Sequence, residues 1–164
     1  MTTLPLVIYP EPILLRRAPE VTEFSPDLSD LAHNMLETMY VEDGIGLAAP
    51  QIGVSARVFV SDLSKQRDEP FIIVNPVIVE KSGSIELEEG CLSIPGYRAK
   101  VSRFEHVRVE GFTPSGSPLS VEATGLRAVC FQHEIDHLDG ILFVDRLSHL
   151  KRDIFQRWWR KHSP

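Results

Sequence analysis

The chain has 164 residues, 43% hydrophobic and 24% charged, which predicts one domain, spanning 1–164, with a single core. Its net charge of -6 argues against non-specific nucleic-acid binding by the body of the protein. Two cysteines are too few for a disulfide framework, no apolar run reaches membrane-spanning length, and residues 1–15 lack the pattern of a signal or transit peptide, so the expected compartment is the cytoplasm.

The first 44 residues predict an extended segment followed by a helix. Four prolines between residues 4 and 20 prevent regular helix there. Ser25 and Pro26 have the pattern of an N-cap followed by proline at the first helical position. Apolar residues then recur at helical spacing from Leu28, so the helix should end near Tyr40, before Gly44.

The segment 44–51, Gly-Ile-Gly-Leu-Ala-Ala-Pro-Gln, has two interpretations. It could be a tight turn into a strand. It could instead be the wall of a cleft, because Gly44 and Gly46 let another group approach the backbone and leave its N–H and C=O groups free. In that case Gln51 would supply a neutral amide donor suited to stabilising an oxyanion.

The middle of the chain is rich in β-branched and aromatic residues bounded by turn formers, which predicts strands. The predicted strands are 57–62, 71–74, 77–80, 84–88, 107–112 and 119–122, the last two forming a hairpin around 114–116. Pro76 should mark a strand end or edge. Residues 89–96 read as an irregular stretch that contains Cys91.

The most informative stretch is His-Glu-x-x-His at 133–137, in a helix predicted to begin after Thr124 and to end at Gly140. Residues four apart lie on one helical face, so His133 and His137 can bind one metal ion, with Glu134 beside them as a base. The motif alone also fits two surface histidines on an amphipathic helix.

A third metal ligand has to come from elsewhere in the chain. A thermolysin-type site needs a glutamate downstream, and none follows Glu134. The metzincin pattern needs a histidine where Phe143 stands. Cys91, next to Gly90, is the preferred candidate and would leave a fourth position open for water. If Cys130 also bound, the site would be closed and structural.

After Gly140, residues 141–144 predict a short strand or an extended stretch, and Ser148 is expected to cap a terminal helix. Leu150, Ile154, Phe155 and Trp158 should form the stripe by which this helix docks on the domain. The same helix carries five basic residues against one acid, Asp153. That excess is either a solvated face or a surface for nucleic acid.

Three segments together resemble peptide deformylase: 44–51, Glu-Gly-Cys-Leu-Ser at 89–93, and Gln-His-Glu-Ile-Asp-His-Leu-Asp-Gly at 132–140. They occur in the family's order and at similar separations, and they span roughly the central two-thirds of the chain. The resemblance implies an α+β fold, with mixed or antiparallel β-sheets packed around a central metal-binding helix and with an N-terminal and a C-terminal helix.

The resemblance also implies a metal-dependent hydrolase that removes the formyl group from the N-terminal formyl-methionine of newly synthesised proteins and releases formate. By this resemblance Cys91, His133 and His137 would bind one Fe(II) per chain, which nickel, cobalt or zinc could replace. Glu134 would be the acid and base of catalysis. Gln51 and the backbone N–H of Leu92 would hold the oxyanion.

The substrate is expected to contact apolar side chains and free backbone edges. The apolar residues expected to hold the methionine side chain are Ile45, Leu87, Leu126, Val129 and Cys130. The peptide backbone could pair with the edges at 45–46 and Gly90, where Gly46 leaves room. The resemblance further implies that the basic C-terminal helix docks on the ribosome near the exit tunnel, with no membrane partner.

Two other functions remain open at this stage. One is a different amidase or peptidase that uses the same metal ligands. The other is a structural metal domain or ribosome-binding module. Glu134 argues against the second, because a structural site has no use for a carboxylate beside its metal.

Overall fold

The computed structural model describes residues 2–164 as three helices and seven strands joined by short turns. The helices are α1 (Pro26–Val41), α2 (Gly125–Leu138) and α3 (His149–His162). The strands are β1 (Gly46–Ala48), β2 (Val58–Ser61), β3 (Phe71–Ser82), β4 (Ile85–Cys91), β5 (Ile94–Arg103), β6 (His106–Phe112) and β7 (Pro118–Thr124). Short 3₁₀ turns lie at Pro12–Leu15, Ala49–Ile52 and Phe143–Arg146.

The strands form two sheets with antiparallel pairing. Five strands make the larger sheet in the order β1-β2-β3-β6-β7, and β4 pairs with β5 in a separate hairpin. Helix α2 lies between them and contacts both. The predicted α+β fold, with sheets around a central helix, is therefore confirmed. Of the two kinds of sheet that were expected, mixed or antiparallel, the pairings described in residues 2–164 are antiparallel.

Helix α2 is buried because it lies between the two sheets. Every residue from Ala128 to Leu138 is buried, so the helix has no solvated face over these three turns. Ala128, Phe131, Ile135 and Leu138 pack with β2, β3, β6 and β7 in one apolar cluster, as predicted for the core side. The interpretation of its histidines as surface residues is wrong, because His133 and His137 are 8% and 1% exposed.

One strand continues through a proline. Residues 71–74 and 77–80, predicted as two strands, belong to the single strand β3, whose pairing with β6 shifts register between Val74 and Val77. Pro76 lies in this bulge, where a missing N–H costs no ladder hydrogen bond. Asn75, at φ 52°, uses its side chain to bond the backbone N–H and C=O of Val21.

Two predictions near the C-terminus are wrong in part. The strand or extended stretch expected at 141–144 reaches only to Leu142, whose backbone is extended, and the turn Phe143–Arg146 follows. In this turn the Asp145 carboxylate accepts a hydrogen bond from the Leu142 N–H at 2.8 Å. In α3, Leu150 and Ile154 are 69% and 49% exposed.

The docking of α3 uses neighbouring positions of the same helix. Phe155 and Trp159 are its buried residues, and both belong to a cluster with β5 and the 143–146 turn. Trp158 packs on the edge of this cluster. Leu150 and Ile154 lie one residue off that line and therefore face away from the core.

Within residues 2–164, no helix is both long enough and apolar enough to span a membrane.

Candidate metal centre and cleft

Three donor atoms from two elements, β4 and α2, lie close together. The Cys91 Sγ, at the end of β4, lies within 4.8 Å of ring nitrogens of both His133 and His137 on α2. The two imidazole centroids are 5.0 Å apart, as expected for positions i and i+4 of a helix, and the Cys91 Sγ lies 3.3 Å from Nε2 of His137. One thiolate and two imidazoles form a ligand set that suits a divalent transition metal.

The second nitrogen of His133 is held in place by a carboxylate. Nδ1 of His133 lies 2.9 Å from Oε1 of Glu89, which belongs to β4. A ligating histidine characteristically donates its other N–H in this way, which fixes the tautomer and points Nε2 at the metal position. Glu89 is in turn gripped by the buried guanidinium of Arg103 at 2.9 Å through both of its oxygens.

The electrostatics of the site favour a cation. Burial would lower the pKa of His133, but the thiol of Cys91 and the carboxylates of Glu134 and Glu89 outweigh it and raise that pKa well above its usual value. Burial and the charges of His133 and Arg103 lower the pKa of His137, which keeps it neutral, while His133 carries a positive charge that a bound ion would replace as it displaced the proton. The donor set, its orientation and its charge therefore fit a metal ion.

Cys130 stands apart from this group. Its Sγ lies 3.4 Å from Oγ of Ser61 and 3.6 Å from the backbone oxygen of Ile45, and it is not among the three grouped donors of residues 2–164. Burial, with the nearby charge of Glu134, raises the pKa of its thiol. A protonated, buried thiol is a small apolar group, so the closed four-ligand site has no support here.

Glu134 follows His133 directly on α2 and is buried. Burial raises the pKa of Glu134 to about 7. Its Oε1 is buried and has no hydrogen-bond partner among residues 2–164. The opposite wall is a glycine: a Cβ on Gly46 would lie 2.5 Å from Oε2 of Glu134 and 2.8 Å from Sγ of Cys130. Gly46 therefore keeps the space in front of the carboxylate open.

Gln51 presents its amide nitrogen to the same site. Its Oε1 accepts a hydrogen bond from the Ala48 N–H at 2.9 Å, which fixes the amide orientation. Nε2 then donates towards Ser93 Oγ at 3.2 Å and Cys91 Sγ at 3.5 Å. Leu92 follows Cys91 in the tight connection between β4 and β5.

A cavity of about 610 Å³ opens from the candidate metal centre. Among the residues that line it are Ile45, Gly46, Gln51, Gly90, Cys91, Leu92, Leu126, Val129, Cys130, His133 and Glu134. Leu87 is not among its lining residues. Because side chains alternate along β4, Leu87 shares the face of Glu89, and it pairs across the hairpin with Val101.

Sequence reasoning missed several residues around this cavity. Glu42, Asp43, Tyr97 and Arg98 line its mouth, and Glu89 and Arg103 support His133 from behind. Glu89 belongs to the motif at 89–93, two residues before Cys91, so the sequence offered a signal that it lies near the metal site. Arg103 has no such local signal, because it pairs with Ile85 in the β4–β5 hairpin and only its long side chain reaches Glu89.

Comparisons with known proteins agree on one family. The model of the polypeptide deformylase family matches residues 3–153. A peptide deformylase of Thermodesulfovibrio yellowstonii is 46% identical over 159 residues, 96% of each chain. The crystal structure of peptide deformylase from Thermus thermophilus has a TM-score of 0.91 at 44% identity and covers 97% of this chain and 94% of its own. The peptide deformylase from Ehrlichia chaffeensis in complex with actinonin has a TM-score of 0.92 at 35% identity, over the whole of both chains.

Proposed function

We propose that this chain, which belongs to the polypeptide deformylase family, carries out its chemistry at the group of Cys91, His133 and His137, with Glu134 as acid and base. The chain is an enzyme that removes the N-terminal formyl group of formyl-methionyl nascent peptides. The single observation that supports this location is that two of the three grouped donors, Cys91 and His133, line one cavity together with Glu134, whose Oε1 has no partner among residues 2–164. In this proposal residues 1–164 form one catalytic domain.

The family is metal-dependent, and the three grouped donors would hold the ion. The resemblance to deformylases favours Fe(II), one per chain, and the same donors suit nickel, cobalt or zinc. When bound there, such an ion supplies Lewis acidity that lowers the pKa of water and polarises the formyl oxygen. Cys91 and the two histidines would supply three ligands, which would leave a fourth position for water or substrate.

Glu134 moves the proton. Its free Oε1 accepts a proton from the attacking water, whose oxygen bonds to the formyl carbon. The same carboxyl then gives that proton to the peptide nitrogen as the carbon–nitrogen bond breaks. Formate and a free methionine N-terminus are released, and Glu134 returns to its starting state. A pKa near neutrality suits both steps, since the group must accept and donate within one turnover.

Two donors from the chain would stabilise the negative oxygen that forms during attack. Nε2 of Gln51 is held toward the Cys91 side of the site by the contact of its oxygen with Ala48. The backbone N–H of Leu92, in the turn after Cys91, is the proposed second donor. Donors fixed before the reaction need no reorganisation when charge develops, and this makes them effective.

The cavity would bind the methionine side chain and the peptide backbone. Ile45, Leu126, Val129 and Cys130 line it and supply apolar surface, and Leu87, on the face of β4 that carries Glu89, is the remaining proposed contact. The backbone at Gly46 and Gly90 would pair with the peptide as an added strand. Any side chain at Gly46 would close this path, because its Cβ would meet the Glu134 carboxylate.

The exposed basic face of α3 is the proposed contact with the ribosome near its exit tunnel. Its five basic side chains are all exposed, and none takes part in the ion pairs found in residues 2–164; they are Lys151, Arg152, Arg157, Arg160 and Lys161. A protein of net charge -6 that concentrates positive charge on one helix is suited to ribosomal RNA. Because the enzyme acts on nascent chains, we propose that it lies in the cytoplasm.

The experiment that tests the proposed function is formate release from a formyl-methionyl peptide, before and after a chelator, with restoration by added Fe(II) under anaerobic conditions. An acetyl-methionyl peptide and an unmodified peptide are the controls. Formate release that disappears with the metal, and no cleavage of either control, is the expected result. Cleavage of the acetyl or internal bonds at a similar rate would point to a different amidase or peptidase.

A further inference from the structure

We infer that the 3₁₀ turn Phe143–Arg146 is a positioning element for the metal ligand His133. The inference rests on the proposed metal centre and adds residues that do not line the cavity. Phe143 stands where a metzincin would have its third ligand, yet its ring stacks on His133, with centroids 6.0 Å apart and planes 22° apart. At the other end of the same turn, Arg146 pairs with Asp136 on the helix that carries His133. This contact starts a chain of ion pairs that leads to His133.

The chain of ion pairs begins at Asp136, which lies between the two histidines in α2. Arg146 binds its carboxylate in a two-pronged manner, with Nη2 to Oδ1 at 2.7 Å and Nε to Oδ2 at 3.0 Å. Such a fork fixes both the distance and the plane of a carboxylate. Arg103 Nη1 donates to Oδ2 of the same Asp136 at 2.6 Å.

Arg103 connects Asp136 to the proposed ligand His133 through Glu89. Its other edge, Nε and Nη2, donates to both oxygens of Glu89, which bonds Nδ1 of His133. Arg103 and Glu89 have side chains 4% and 6% exposed. One guanidinium therefore serves two buried carboxylates, Glu89 and Asp136.

The charges explain why the second arginine matters. Two buried carboxylates need two positive partners, because an unpaired buried charge is costly. Arg146 enters from the surface, with its side chain 47% exposed, and supplies the second. Because Arg146 occupies Asp136 with a full fork, Arg103 can keep its Nε edge on Glu89. Without that fork, Asp136 would compete for Arg103, and the contact between Glu89 and His133 would loosen.

The turn is held by contacts of its own, so it can act as a fixed support. Its backbone is closed by the reciprocal contacts of Leu142 and Asp145, at 2.8 and 2.9 Å. Leu142, Phe143 and Val144 are buried in the cluster that also contains β5 and α3. Phe143 and Arg146 are therefore presented to α2 from a rigid base, one against the ring and one against the helix.

The test replaces Arg146 by lysine, which keeps the positive charge and loses the fork. Arg108→Lys is the matched control, since Arg108 also bridges two carboxylates, Glu80 and Glu110, on the surface away from the site. Each protein is loaded with Co(II), and the rate at which a chelator removes the ion is followed by the visible absorption of the cobalt–thiolate centre. Thermal unfolding is measured in parallel.

We expect Co(II) to dissociate from Arg146→Lys about tenfold faster than from wild type, while Arg108→Lys should match wild type. Tenfold is the lower end of the loss in metal affinity seen when a residue that supports a metal ligand is replaced. Phe143→Leu should also lose the ion faster and shift the cobalt spectrum. Equal dissociation rates in wild type and Arg146→Lys would overturn the inference, even if the variant melted at a lower temperature. Failure of the wild-type protein to bind Co(II) through a thiolate would instead overturn the proposed metal centre itself.

Discussion

Oε1 of Glu89 lies 2.9 Å from Nδ1 of His133, and this contact joins the β4–β5 hairpin to the helix that carries two of the proposed ligands. The third ligand, Cys91, ends the same strand as Glu89, two residues further on. One strand thus supplies a ligand directly and orients another. The geometry of the site therefore depends on how the hairpin sits against α2.

Replacement of Glu89 by glutamine should weaken metal binding by about 10-fold or more, because an amide orients the imidazole less strongly than a carboxylate and removes one of the two ionic partners of Arg103. The measurement is competition with a chelating dye at equilibrium. Glu88→Gln is the matched control, since that neighbouring carboxylate is 57% exposed and pairs with Arg98 on the surface. Equal affinities in the two variants would show that the Glu89 contact does not hold the ligand.

Replacement of Val129 by alanine should reduce discrimination in favour of methionine. Val129 is 2% exposed and lines the cavity, and two lost methyl groups correspond to about 1.5 kcal/mol of apolar contact. We expect kcat/KM for a formyl-methionyl peptide to fall roughly tenfold. A formyl-alanyl peptide, too short to reach the same depth, should lose much less. Equal losses for the two peptides would remove Val129 from the proposed pocket.

Asp62 should make the stability of the folded protein depend on pH. Burial would raise the pKa of Asp62, but hydrogen bonds from Ser64 and Tyr40, at 2.5 and 2.6 Å, and from backbone N–H groups lower it. A lowered pKa in the folded state stabilises the fold above the pKa of the unfolded state. That stabilisation is lost as the pH falls through the folded-state pKa.

Asp62→Asn should therefore destabilise the protein by about 1–3 kcal/mol at pH 7, since hydrogen bonds to a charged group are weakened. The difference from wild type should shrink in acid, where the wild-type carboxyl is itself neutral. Urea unfolding at pH 7 and at successively lower pH measures it. Asp68→Asn, in the same loop but exposed, should unfold like wild type at pH 7. A difference that stayed constant with pH would contradict the assignment to the Asp62 charge.

The contribution of α3 can be tested by ribosome co-sedimentation at low salt. Neutralising its five basic residues should weaken binding, and the remaining binding should depend less on salt, because fewer phosphate contacts release fewer counterions. A control variant neutralises three exposed lysines elsewhere, Lys65, Lys81 and Lys100. Unchanged co-sedimentation of the five-site variant would remove the ribosome hypothesis while leaving the chemistry of the cleft untouched.

The sequence predicted most of what depends on local pattern. The spacing of His133 and His137 places two imidazoles on one face of any helix, and Cys91 could be reached by excluding the other candidates. The hairpin of β6 and β7 and the start of α1 at Pro26 followed from turn residues and capping patterns.

What the sequence did not predict depends on contacts between distant segments. Pro76 ends a strand by local rules, yet the Asn75 contact with Val21 holds it in a bulge and β3 continues. Leu150 and Ile154 have helical spacing suited to docking, but the orientation of α3 is set by Phe155 and Trp159. The partners of Arg103 come from β4 and α2, which no single segment reveals.

The most direct test of the central claim is formate release from a formyl-methionyl peptide by the Fe(II) protein and by its Glu134→Ala variant, both assayed anaerobically and both checked for metal content. The variant should bind iron as wild type does, since the three donors remain, and its kcat should fall by about 10²- to 10⁴-fold, the usual contribution of a positioned acid and base. Equal formate release by the two proteins at equal iron content would contradict the account.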